Sequence, residues 1–144
     1  MSILKSIFFS ILISFILVIF QKLIDSNYII DFLSKNLITI LIALLAINLT
    51  TLSIVLTKIR ELIELHGNKA NFNNTKNEML LSIKEQLILI IFSLIILSIL
   101  KSKWILLNYS YIDLIDILTI SCLIYSLLIL YDTAKSIFII IDFK

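Results

Sequence analysis

The chain has 144 residues, of which 60% are apolar, with a mean hydropathy of +1.12 and a formal net charge of +2. Apolar residues fill every face of four segments rather than one stripe, which excludes a water-facing surface and implies an integral membrane protein. The small, scattered positive charge excludes direct nucleic-acid binding, and one cysteine (Cys122) with one histidine (His66) cannot build a disulfide framework, a zinc site or a redox pair.

The first predicted span covers about residues 3–24. It is uncharged from Ser6 to Gln21, with Lys5 and Lys22 placed to reach the two interfaces. A signal peptide begins in the same way, but no Ala-x-Ala-like site follows, since the first alanine is Ala43, so a retained span is expected. Ser2, Ser6, Ser10 and Ser14 recur every four residues and line one face. Close helix packing, with hydroxyls bonded back to the preceding turn, accounts for such a face; a wetted surface is the alternative. Gln21 to Lys35 reads as a short connection, with Tyr28 to Leu33 lying at the interface as a partial helical turn.

The second span, about residues 36–58, is the most informative stretch. It is uncharged from Asn36 to Thr57, long enough to cross a hydrocarbon core of ~30 Å. Ala43, Ala46, Thr50, Ser53 and Thr57 alternate at steps of three and four, placing small or hydroxylated side chains on one face, whereas Asn48 sits roughly opposite Thr50. One of these faces is expected to meet another span of the same chain and the other a neighbouring subunit.

Beyond Thr57 the helix should continue as one arm of a hairpin over residues 58–84. Lys58 with Glu61 and Arg60 with Glu64 have helical ion-pair spacings, and Gly67, the only glycine, follows His66 where a helix C-cap is expected. Asn68 to Asn74 reads as a polar connector, and Thr75 to Glu78 has the spacing of a capping box that opens the next helix. Arg60, Glu61, Glu64, His66 and Lys69 are the candidate contacts for a soluble partner.

The third span covers about residues 80–101, and Trp104, Tyr109 and Tyr111 in the following loop suit an interfacial aromatic belt. The fourth, about residues 113–134, opens with Asp113 and Asp116 on one face. They are either helix caps or, after oligomerisation, an outer-mouth ring of carboxylates. Thr119, Cys122 and Ser126 repeat the three-and-four spacing seen in span two and are candidate pore or helix-interface residues. The deepest polar groups of the four spans are thus Asn48 and Thr50, with the Cys122 and Ser126 region.

These features define an all-α polytopic protein of four transmembrane helices, a single domain over residues 1–144, with a cytoplasmic hairpin between helices 2 and 3. Eight basic residues fall on the side of the termini and the hairpin against four on the other, which places both termini in the cytoplasm and suits a multi-pass protein of the cell inner membrane. Midplane glycine or proline breaks and ionisable groups, which carriers use, are missing. No nucleophile, base or cofactor site can be assembled beside Asp113, Asp116 or Asp132, so the chain is expected not to be an enzyme. A four-helix unit is too small to enclose a wide aqueous path alone, and a pore would need several copies around an axis.

The run L-I-T-I-L-I-A-L-L-A-I-N-L-T-T-L from Leu37 to Leu52, then the basic K-I-R turn at Lys58 to Arg60 and two closely spaced spans, resembles the RexB-like and KwaA-like small four-span membrane subunits of bacterial antiphage systems. The likeness covers the chain in topology and only Ile40 to Arg60 in sequence. It implies a homo-oligomeric inner-membrane ion channel or membrane sensor that depolarises the cell or responds to infection, beside a soluble partner. The alternative is a non-conducting anchor that recruits a soluble effector through its hairpin.

Overall fold

The computed structural model describes residues 3–66, 70–102 and 111–141, and their side chains except at 62, 63, 65, 66, 70–75 and 136–141. Four long helices account for most of them: α1 (Ile3–Leu23), α2 (Tyr28–His66), α3 (Ala70–Leu100) and α4 (Ile112–Ile141). Each contains a stretch long and apolar enough to cross a membrane, at Ile3–Leu23, Tyr28–Glu61, Lys76–Leu100 and Ile112–Lys135. The protein is therefore an all-helical, multi-pass membrane protein. Large apolar side chains such as Phe8, Phe15, Ile54, Ile88, Ile91 and Leu114 stay exposed on the bundle. Lipid rather than water is the solvent that tolerates such a surface.

Two helices begin earlier than the sequence pattern suggests. α2 opens at Tyr28 rather than near Asn36, so the expected interfacial turn is continuous with the span. The reason lies in packing: Leu33, Leu37 and Leu41, each four apart, are all at most 1% exposed and form one uninterrupted core stripe. α3 opens at Ala70, which puts Thr75 to Glu78 inside the helix and not at its cap. α2 ends at His66 and α3 begins at Ala70. The tip of the expected hairpin, including Gly67 and Lys69, lies outside the described residues, as do Trp104, Tyr109 and Ser110.

The α1–α2 turn is built by local hydrogen bonds. Ser26 N–H donates to Gln21 C=O at 3.0 Å and Asp25 N–H to Lys22 C=O at 3.2 Å, which is the paired bonding of a Schellman cap. Asp25 holds the left-handed conformation that this cap requires, at φ 50°. Aspartate is one of the few side chains that tolerate it. Asn27 C=O then accepts the first helical bond of α2, from Asp31 N–H at 2.9 Å, and the Tyr28 N–H is taken by Ser26 Oγ.

α4 is the hub of the bundle. It packs against α1, α2 and α3, whereas α1 leans mainly on α4, and α2 and α3 pack on each other. Accordingly 44% of its span is buried, against 22–28% for the others. Thr119, Ser121, Cys122, Ser126 and Thr133 are buried on it, small enough to let three neighbours approach closely. α1 answers with its serine face: Ser6, Ser10 and Ser14 are buried, and Ser10 and Ser14 bond back to the carbonyls of Ile7 and Ser10 at 2.8 and 2.7 Å. That face is therefore a packing surface.

Two apolar clusters result. One joins all four helices through Val18, Leu33, Leu37, Leu41, Leu89, Ile96, Ile115, Ile120 and Ile129. The other joins α2 and α3 alone through Leu52, Val55, Ile59 and Met79. Because a Cβ-branched residue is strained at the Asp25 backbone angles, Asp25→Val is expected to destabilise the protein by about 1 kcal/mol and Asp25→Gly to be neutral or stabilising. Thermal unfolding in detergent checks this; equal melting temperatures for the two variants would refute the role assigned to the turn.

Candidate functional site

The two faces of α2 have opposite fates. Asn48 is fully buried, whereas Ala43, Ala46, Thr50, Ser53 and Thr57 are all exposed on the outside of the bundle. The hydroxyls of Thr50 and Thr57 donate to the carbonyls of Ala46 and Ser53 at 2.9 and 3.0 Å. Such back-bonding satisfies each donor within its own helix and leaves the oxygen lone pairs outward.

Asn48 meets α3 near the middle of both spans. Its Nδ2 donates to Gln86 Oε1 at 3.0 Å and reaches Ser82 Oγ at 3.4 Å, and Ser82 itself donates to Met79 C=O. This polar cluster lies between the two apolar clusters and separates them. Asn48 Oδ1 and Gln86 Nε2 remain buried without a protein partner, one an acceptor and the other a donor. Tyr125 of α4 donates its hydroxyl to Glu85 Oε2 of α3 at 3.1 Å, and the next residue of α4, Ser126, carries another buried and unpartnered hydroxyl. Ser93, further along α3, is buried and lies within reach of the Cys122 thiol.

Thr119, Cys122 and Ser126 are thus brought together in the protomer interior, with Thr119 bonded back to Ile115 C=O at 2.8 Å. They do not share a surface with the α2 stripe. At the other end of α4, Asp113 pairs with Lys22 of α1 and both stay exposed, a contact that contributes about 0–1 kcal/mol. Asp116, one turn on, is half-buried, and its Oδ1 is unpartnered, as is Gln21 Nε2 on α1. Lys58 and Glu61 pair at 2.8 Å and Arg60 and Glu64 at 3.1 Å, all exposed, so this end of α2 presents a charged surface. The His66 side chain and Lys69 lie outside the described ones.

Sequence reasoning singled out Asn48 but not its partners. Ser82, Gln86 and Ser93 share one face of α3 at steps of four and seven, the last two inside the uncharged run from Gln86 to Leu100, which is the pattern that would have found them. Among the described residues no group of three His, Cys, Asp or Glu side chains is arranged to hold a metal ion. No protein-family model, curated protein or solved structure matches the chain.

The amide pair makes a testable demand. Asn48→Leu alone strands Gln86 in the core and is expected to cost ~1–3 kcal/mol, whereas Asn48→Leu with Gln86→Leu replaces both partners by apolar groups and should recover most of the loss. Unfolding in mixed detergent micelles measures both. A double variant no more stable than the single one would show that the pair is not the coupled unit described.

Proposed function

We propose that the protein is an oligomeric membrane subunit whose copies associate through the outward face of α2, and that the assembly acts as an ion channel or membrane sensor. The observation that supports this reading is the placement of Ala43, Ala46, Thr50, Ser53 and Thr57 on the outside of the bundle while Asn48, on the opposite face, is used internally. Small side chains permit close approach between helices in lipid, and outward lone pairs offer weakly polar lining if several copies surround an axis. Thr119, Cys122 and Ser126 then hold helices together within one copy. Asp113 and Asp116 would ring the mouth at the end where α4 begins. The setting in bacterial antiphage defence, in the inner membrane with both termini cytoplasmic, rests on the resemblance and the charge distribution given above.

A second reading has its own support. At ~1.5 Å per residue the 39 residues of α2 extend to about 58 Å, far more than a hydrocarbon core of ~30 Å, and the excess ends in the exposed Lys58–Glu61 and Arg60–Glu64 pairs. A membrane anchor would use that projecting end to recruit a soluble effector.

Currents across planar bilayers, with the mass of the protein in nanodiscs, separate the two. Under the first reading Thr50→Leu with Ser53→Leu reduces conductance at least tenfold and changes the copy number, while expression persists. Unchanged ion flux sinks the α2 lumen. Under the second, Arg60→Glu with Glu64→Lys abolishes recovery of a co-expressed effector and leaves bilayer currents as they were.

A further inference from the structure

The contact between Asn48 and Gln86 is half of an amide pair. Asn48 Nδ2 donates to Gln86 Oε1 at 3.0 Å, but the reciprocal bond, from Gln86 Nε2 to Asn48 Oδ1, is not made. Both atoms are buried without a protein partner, and their side chains are 1% and 0% exposed. Each amide holds its oxygen and nitrogen ~2.2 Å apart, so the single bond keeps these two atoms within about 7 Å of each other. A water molecule that accepts from one and donates to the other spans up to about 6 Å. One donor and one acceptor left over in a buried polar contact are the complement that such a water takes up.

A route for water leads to the pair. A cavity of about 320 Å³ opens between the start of α1, the first half of α3 and the end of α4. Ser82 lines it, and the same hydroxyl accepts from Asn48 Nδ2 at 3.4 Å while donating to Met79 C=O at 2.8 Å. One lone pair of that hydroxyl is left for water. A single side chain thus stands between the cavity and the buried amides. Glu85, the residue before Gln86, lines the cavity as well, together with Tyr125, which donates to it. Gln86 lies about 15 Å along α3 from Lys76, where that span begins, which is half the depth of a ~30 Å hydrocarbon core.

We propose that water enters the protomer through this cavity as far as the Asn48–Gln86 pair, where one molecule accepts from Gln86 Nε2 and donates to Asn48 Oδ1. The path is open at one end only. Toward the other end of the bundle α2 buries Leu41 and Leu37, and α3 buries Leu89 and Ile96, with Ser93 the buried polar exception on these stretches. Apolar side chains of this kind resist wetting. The water lies inside one copy, on the face of α2 opposite Thr50, and does not depend on association through the outward stripe.

The test is proton-detected solid-state NMR of the full-length protein in lipid bilayers, with the side-chain amides of Asn48 and Gln86 assigned. Magnetisation is expected to pass from water to the Gln86 Nε2 protons at mixing times that leave the backbone amides of Leu37 and Leu41 unaffected. In deuterated buffer the Gln86 amide protons should exchange at least tenfold faster than those backbone amides. Ser82→Leu, which fills the wall shared with the cavity, should slow that exchange at least tenfold, while Thr50→Leu with Ser53→Leu leaves it unchanged. If Ser82→Leu does not fold, the water transfer in the unaltered protein decides. No transfer to Gln86, exchange that Ser82→Leu leaves as it was, or exchange slowed by the α2 variant instead, overturns the proposal.

Discussion

Close approach to α4 is the condition on which the whole bundle depends. In lipid the burial of apolar surface no longer drives helices together, so association relies on packing and on hydrogen bonds between helices. The small polar side chains of α4 at Thr119, Ser121, Cys122, Ser126 and Thr133 leave room for three neighbours. α1 exploits that room with its serine face and contributes only Val18 as a large buried apolar side chain. Its attachment is accordingly a matter of fit along one narrow surface, helped at one end by Lys22 and Asp113.

Buried polar side chains occur on all four helices. The Asn48–Gln86 contact sits where the four-helix cluster gives way to the smaller α2–α3 cluster, so it marks the register of α2 against α3 where apolar side chains alone would allow sliding. Each buried polar atom without a partner costs about 1–3 kcal/mol. Asn48 Oδ1 and Gln86 Nε2 are two such atoms at the α2–α3 contact, and Ser93 Oγ on α3 and Ser126 Oγ on α4 are two more. Retaining them favours specificity of association over stability, as buried polar groups do in coiled coils.

The ends of the bundle differ in character. The end where α1 stops and α4 begins carries a short Schellman turn and the exposed Lys22–Asp113 pair. At the opposite end α2 and α3 run past the apolar part of their spans, and the charged surface of Arg60, Glu61 and Glu64 and the cavity beside Glu78 and Glu85 occupy that side. Exposed charged side chains thus occur at both ends, and the outward stripe of α2 lies between them.

The four helices were legible in the chain because an uncharged run of about 20 apolar residues has few alternatives in water or lipid. Lysines and aspartates at the ends of those runs marked the interfaces, and the serine periodicity of α1 identified its packing face. Helix starts were less legible: Tyr28 to Leu33 looked interfacial until Leu33 proved part of the stripe that continues through Leu37 and Leu41. The sequence also placed Asn48 opposite Thr50, a consequence of the 100° step of a helix. It could not say which face turns inward, since both are compatible with a helix surrounded by protein. Only the tertiary structure decided that Asn48 meets Gln86, that the Thr50 stripe is left outside, and that α4 rather than α2 is the hub, because partner choice depends on distances between residues far apart in the chain.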